Sequence, residues 1–166
     1  MSATYERILG LRAIRQFQNH PVDPSDLGRL LEAARWTGSS KNRQNWSVVV
    51  VQDREQVERL AACGDFTGPL SAAPVALALV EEPETYEFDT GRMAQNIMLA
   101  ADALGMATCP ITLHRDPDAA RVLDLPPGWR CRYAIALGYP APSARPARFG
   151  GRKPLDEITH RDSFSQ

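Results

Sequence analysis

The chain has 166 residues, with 19 Lys plus Arg against 20 Asp plus Glu and a net charge of −1. That length supports one core, at about 150 residues per domain, and leaves no room for separate cofactor and substrate domains, so residues 1–166 are read as one domain. The charge balance excludes bulk attraction to nucleic acid or to an anionic membrane. Of the 19 basic residues 17 are Arg, only Lys41 and Lys153 being Lys, so an arginine here takes significance from its position and not from its type. Three cysteines, Cys63, Cys109 and Cys131, form no C-x-x-C and have no His at metal spacing, so neither a disulfide framework nor a metal site is expected. The N-terminal stretch Met1 to Leu11 carries Glu6 and Arg7 and lacks the apolar run of a signal peptide. The longest charge-free run, Phe66 to Val80, is 15 residues and contains Pro69 and Pro74, short of the roughly 20 a spanning helix needs. A cytoplasmic protein is expected.

In chain order, a short helix is predicted over Thr4 to Leu11, followed by the segment Arg12 to Asn19. Asp23-Pro24-Ser25-Asp26 is a helix start: an oxygen cap, proline at the first helical position and an acid in the first turn. Leu27, Leu30, Leu31 and Ala34 then recur at helical spacing, and Gly38 is expected to end the helix. Ser39 to Asn45 reads as a polar loop and Trp46 to Gln52 as a strand buried on both faces. Asp53 caps a helix running to about Ala62, and Val75 to Val80 is a second apolar strand. Asp89 to Leu104 is a long helix with Met93, Ile97, Ala100, Ala101 and Leu104 inward, terminated by Gly105. Ala107 to Leu113 is strand-like, Asp116-Pro117 opens a small helix, Arg132 to Leu137 is a third clear strand, and Gly138 to Gly151 is a loop. No G-x-G-x-x-G follows a strand and no G-x-x-x-x-G-K-[ST] occurs, which removes the commonest dinucleotide and triphosphate loops. The irregular alternation of helices and strands points to an α+β fold.

Five segments could carry chemistry. Arg12 and Arg15, in Leu11-Arg12-Ala13-Ile14-Arg15-Gln16-Phe17, are three apart and could clamp an anion or be ordinary surface arginines. Gly38 to Trp46 is dense in hydroxyl and amide groups suited to a polar ligand, although loops before strands are commonly polar. The small residues of Gly91 to Gly105 allow close helix approach, within one subunit or between two. In Cys109-Pro110-Ile111-Thr112-Leu113-His114 the proline interrupts ladder pairing, so the amides of Thr112 and Leu113 could point at a ligand. Arg148, Arg152 and Lys153 cluster in a glycine-rich stretch that could equally be a solvated face.

In order and spacing these segments resemble the FMN-dependent nitroreductase family from Ile8 to about Phe164. Arg12, Ile14, Arg15 and Phe17 fall on its Arg-Arg-Ser-Ile-Arg-x-Phe opening, and Ser39, Ser40, Asn42, Gln44 and Trp46 on its serine loop ahead of a Val/Ile strand. Gly91 to Gly105 reproduces its long helix, followed by Pro110-Ile111, Gly138-Tyr139-Pro140 and the Arg152-Lys153-Pro154-Leu155 ending.

The resemblance implies a three-layer α/β/α sandwich with a mixed central sheet, and a homodimer holding two FMN molecules at its interface. By position, the cofactor-binding opening is Arg12, Ala13 and Arg15, with Arg12 at the phosphate beside Arg152 and Lys153, and Arg15 at the ribityl chain or the ring's pyrimidine edge. Ser39, Ser40 and Asn42 would come from the partner chain. Pro110, Ile111, Thr112 and Leu113 would line the ring, with the last two amides near its hydride-accepting nitrogen. NADH or NADPH would be the reductant and a small nitroaromatic or quinone the oxidant. Such a site works by proximity on a flat slot, so no catalytic side chain is named. His114 is the only histidine near the expected ring, and a bland surface or core role competes with that of proton donor.

Leu11 stands where the family has an Arg and Ala13 where it has a Ser, removing two phosphate donors. A non-catalytic or repurposed member that binds flavin weakly therefore stands as an alternative, and a member of the same fold that dehydrogenates a small metabolite or uses a deazaflavin is a further one. Gln52 to Ala73 is too short for the helical excursion many members place over the site, so an open pocket is expected.

Overall fold

The computed structural model describes residues 2–147 and 151–164. The elements are α1 (Ala3–Gly10), α2 (Pro24–Arg35), β1 (Trp46–Val51), α3 (Arg54–Ala61), α4 (Gly68–Ala72), β2 (Val75–Glu81), α5 (Glu87–Ala103), β3 (Ala107–Thr112), α6 (Asp116–Val122) and β4 (Arg130–Gly138). Single-turn 3₁₀ helices lie at Ser40–Asn42 and Leu155–Glu157.

Capping chemistry sets the helix starts. The Asp23 carboxylate accepts from Ser25 N–H at 2.7 Å ahead of Pro24, and Asp53 accepts from Gln56 N–H at 2.9 Å. Each such cap stabilises a helix by about 0.5–2 kcal/mol. Gly105, at φ +73°, takes the left-handed turn that stops α5. The expected end of α2 at Gly38 is corrected to Arg35. Thr37 N–H folds back to the Ala34 carbonyl at 3.0 Å, and the Thr37 hydroxyl accepts from Asn96 Nδ2 at 2.9 Å, drawing the chain out of the helix and onto α5.

The sheet has the order β1-β2-β4-β3, and every pairing is antiparallel. This corrects the expected mixed sheet. The crossover through α5 does return β3 parallel to β2, but β4 lies between them and runs opposite to both, so among the described residues no parallel pair is hydrogen-bonded. Side-chain alternation divides β2 between two cores. Val75, Leu77 and Leu79 pack with Leu30 and Ala34 of α2 and with Met93, Ile97 and Ala101 of α5. Ala76, Ala78 and Val80 pack with Val57 and Leu60 of α3, Leu70 of α4 and Ala119 of α6. Three layers result, and each fully buried Leu, Ile or Met contributes about 1.5–3 kcal/mol.

The register shifts near the end of β2, where Cys131 and Arg132 stand opposite the single Val80. The shift puts Cys131 in the second core, out of phase with Ile135 and Leu137. β1 packs a core on each face, but it is an edge strand with an unpaired outer side, so Trp46 to Val50 are half-buried and not buried as expected. The buried central strand is β2.

Candidate functional site

The segment after α1 is stitched across the sheet's end. Ile14 N–H donates to the Thr108 carbonyl at 2.9 Å, Gln18 N–H to Tyr139 at 2.8 Å, and Ala141 N–H to Gln16 at 3.1 Å. Ala13 and Phe17 pack inward while Arg12 and Arg15 stay exposed. Arg15 then lines a cavity of about 260 Å³ with Phe66, Pro69, Cys109, Pro110, Ile111, Thr112 and His114. Among the described residues its guanidinium has no hydrogen-bonded or ionic partner in the protein. Arg12 is committed differently, its Nη1 donating to the carbonyls of Leu9 and Leu11, both at 2.8 Å, at the C-terminal end of α1.

Strand parity decides which amides face the cavity. The Thr108 carbonyl is taken by Ile14 on the side of β3 away from β4. Residues two apart share a side, so the amide of Thr112 points to that same open edge, and Pro110 between them has no N–H to offer. The Leu113 amide is corrected: it donates to the Arg132 carbonyl at 2.8 Å, facing β4, and Leu113 itself is buried. The Thr112 carbonyl meets the next loop closely, since a Cβ on Gly64 would lie 2.7 Å from it. Buried Cys109 also borders this cavity, and its thiol is pushed up by desolvation.

On its other flank the same Pro110–Thr112 stretch borders a largely apolar groove of about 540 Å³ under α5, with Phe88, Thr90 and Tyr133 in its wall. The Thr90 hydroxyl is buried there without a protein partner among the described residues.

The serine loop lies elsewhere. Arg92 of α5 holds it, donating to the Gly38 carbonyl at 2.8 Å. Lys41, Asn42 and Gln44 all adopt φ 54°, a region that residues with a Cβ rarely occupy. The strain is held by bonds from Asn42 N–H to the Ser39 carbonyl at 3.0 Å and from Gln44 N–H to Ser39 Oγ at 3.0 Å. This loop feeds β1, at the opposite sheet edge from β3, three strand spacings or roughly 14 Å away. One chain therefore brings Arg15, Pro110, Ile111 and Thr112 together and keeps Ser39, Ser40 and Asn42 apart from them. Arg152 and Lys153 are exposed on a segment, 151–164, whose hydrogen bonds among the described residues are all internal to it. Arg148 lies outside the described residues.

For a flavin, the donor set fits the ring end. A free guanidinium and an outward amide share one cavity, and an apolar groove adjoins it. For a phosphate, the opening segment offers Arg12 alone among Leu11, Arg12 and Ala13, because Leu11 and Ala13 bring no side-chain donor. The residue that sequence reading left unassigned is His114. Its signal was parity, since Pro110, Thr112 and His114 are exposed where Cys109, Ile111 and Leu113 are buried.

These features define a class: a three-layer α+β protein with a cavity at one edge of its sheet and a strained polar loop at the other. The profile of the Nitroreductase family matches residues 8–63 and 69–139. The oxygen-insensitive NADPH nitroreductase of Salmonella typhimurium is 30% identical over 99% of this chain and 75% of its own length. An FMN reductase [NAD(P)H] of Bacillus subtilis is 24% identical over 99% of this chain and 75% of its own. The crystal structure of nitroreductase A from Vibrio parahaemolyticus superposes with a TM-score of 0.89 at 26% identity, covering 100% of this chain and 78% of that one. The chain belongs to the nitroreductase family.

Proposed function

We propose that two copies of this chain form the working enzyme, each of two FMN sites drawing on both copies. The chain is an NAD(P)H-dependent flavin oxidoreductase, and FMN with NADH or NADPH as reductant accounts for the cavity chemistry. The observation that carries the two-chain reading is the separation of the serine loop from the β3 edge by the width of the sheet. Unburied apolar surface supports it. α1 buries no residue and exposes Tyr5, Ile8 and Leu9, and Leu155, Ile158 and Phe164 are exposed on the C-terminal segment. A second copy would cover these side chains and bring its own Ser39, Ser40 and Asn42 to the first copy's Arg15. The segment carrying Arg152 and Lys153 would add the missing phosphate donors.

When bound, FMN supplies reversible two-electron chemistry between the nicotinamide and a small oxidant such as a nitroaromatic or quinone. With FMN bound, Arg15 would oppose the negative charge that reduction adds to the flavin. The Thr112 amide would offer the flavin a hydrogen bond from a backbone that cannot titrate. The apolar groove under α5, which adjoins the Arg15 cavity, would offer a small oxidant a bed. Residues 1–166 act as one domain. No helix among the described residues is long and apolar enough to cross a membrane, and three unpaired buried thiols suit the reducing cytoplasm.

Absorbance titration with FMN, anaerobic addition of NADPH or NADH, and sedimentation equilibrium test this reading. The expected result is a dimer that turns yellow and bleaches with reductant. A monomer that holds FMN overturns the shared site, and protein that ignores FMN overturns the flavin assignment. One observation favours a second reading, a weakly flavin-binding member of the family: Arg12 is spent in part on the carbonyls of Leu9 and Leu11. Its mark would be rapid loss of FMN on dilution of a stable dimer.

A further inference from the structure

His114 shares the Arg15 cavity, and its ring is fixed from behind. The Asp65 backbone N–H donates to Nδ1 at 3.2 Å, so the ring's own proton sits on Nε2, at the edge turned away from that loop. Phe66 packs edge-on to the imidazole, with ring centroids 6.1 Å apart.

The loop that fixes the ring is itself clamped. Arg115 donates to Asp65 Oδ1 at 2.6 Å, to the Ala62 carbonyl at 2.8 Å and to the Gly64 carbonyl at 3.0 Å, and its own N–H donates to the Cys63 carbonyl at 2.9 Å. The Arg115 bond holds the Asp65 carboxyl below its usual range, so that carboxylate stays paired and draws on Arg115. The Asp65 carboxylate, held by Arg115, has its Oδ2 3.8 Å from His114 Nδ1, and Arg15 lines the cavity that the ring borders. An imidazole with one nitrogen occupied by a rigid backbone donor is a pre-aimed hydrogen-bond donor at the other. It needs no reorientation when charge arrives.

We propose that His114 is a cofactor-tuning residue whose Nε2–H donates to the pyrimidine edge of FMN and, beside Arg15, stabilises the anionic reduced form over the oxidised one. The inference rests on the flavin reading above. Its energetic basis is that a hydrogen bond to a charged acceptor is roughly twice as strong as one to a neutral acceptor, so the same donor favours the reduced ring.

The test is the midpoint potential of FMN at saturating cofactor in the wild type, His114→Ala and His114→Gln, alongside the dissociation constant of oxidised FMN by fluorescence quenching. Loss of the donor is expected to weaken binding of reduced FMN about tenfold more than that of oxidised FMN, which lowers a two-electron potential by about 30 mV. His114→Gln keeps an N–H at the ε position and is expected to restore most of that shift. An unchanged potential in His114→Ala, or a His114→Gln variant no better than the alanine, overturns the role of His114 while the flavin reading stands. A wild type that binds no FMN overturns both.

Discussion

The backbone N–H of Ile14 donates to the carbonyl of Thr108 across 2.9 Å, and this bond holds the arginine-bearing segment against the outer edge of β3. Together with the Gln18–Tyr139 and Ala141–Gln16 bonds it positions Arg15 at the cavity. Ile14→Pro removes the donor and bars Ala13 from helical geometry. It is expected to weaken FMN binding tenfold or more in a titration, and to lower stability to denaturant by about 1–2 kcal/mol through the orphaned carbonyl.

Arg12 and Arg15 are separable by their partners. A charge-assisted hydrogen bond is worth about 1.5–3 kcal/mol, so Arg15→Ala is expected to weaken FMN binding by roughly 10- to 150-fold with stability unchanged. Arg12→Ala removes the donor to Leu9 and Leu11 as well. It is expected to lower stability by about 0.5–1.5 kcal/mol in addition to its effect on FMN. Paired FMN titrations and urea melts distinguish the two. Equal melts for both variants would show that the carbonyl bonds of Arg12 contribute nothing.

Gly64→Ala places a methyl 2.7 Å from the Thr112 carbonyl and 2.5 Å from the Thr67 methyl. The backbone contact cannot yield by rotating a side chain. The loop must move away from β3, at a cost of about 1–3 kcal/mol. Chemical denaturation reads that cost. The displaced Asp65 amide should also shift the His114 ring resonances in a two-dimensional NMR spectrum.

At the other end of α2, Glu32 accepts from Arg35 Nε at 2.8 Å, from Arg35 Nη2 at 2.6 Å and from Trp36 Nε1 at 2.7 Å. These bonds lower its pKa from 4.5 to about 2. A depressed carboxylate pKa means stability that is present above the unfolded value and lost as pH falls through the folded one. Thermal melts should therefore lose part of their midpoint between pH 4.5 and about 2. Glu32→Gln should show a smaller loss across that window, and an equal slope would remove Glu32 from the account of acid unfolding.

Much of the fold was readable from local chemistry, because caps and alternation act over a few residues. Asp23 and Asp53 cap the helices expected of them, and Gly105 ends α5. The alternation of β2 between two cores needs only a period of two. By contrast, the half-exposure of β1 could not be read from its valines, since an apolar run reports burial of faces and says nothing about a missing neighbour. The Leu113 amide failed for a related reason. Which side of a strand carries its amides depends on pairing parity, and the Arg132 carbonyl fixes that parity from another strand.

The sequence by itself determined the caps at Asp23 and Asp53, the stop at Gly105 and the two-residue alternation that divides β2 between two cores. Each of these follows from forces that reach one helical turn or one strand. Tertiary structure decided that β4 separates β2 from β3, that Arg12 turns back onto its own helix while Arg15 stays open, and that the serine loop and Thr112 stand at opposite sheet edges. Strand order is chosen by packing between segments distant in sequence, so no local pattern encodes it. That order also sets the serine loop and the outer edge of β3 a sheet's width apart within one chain.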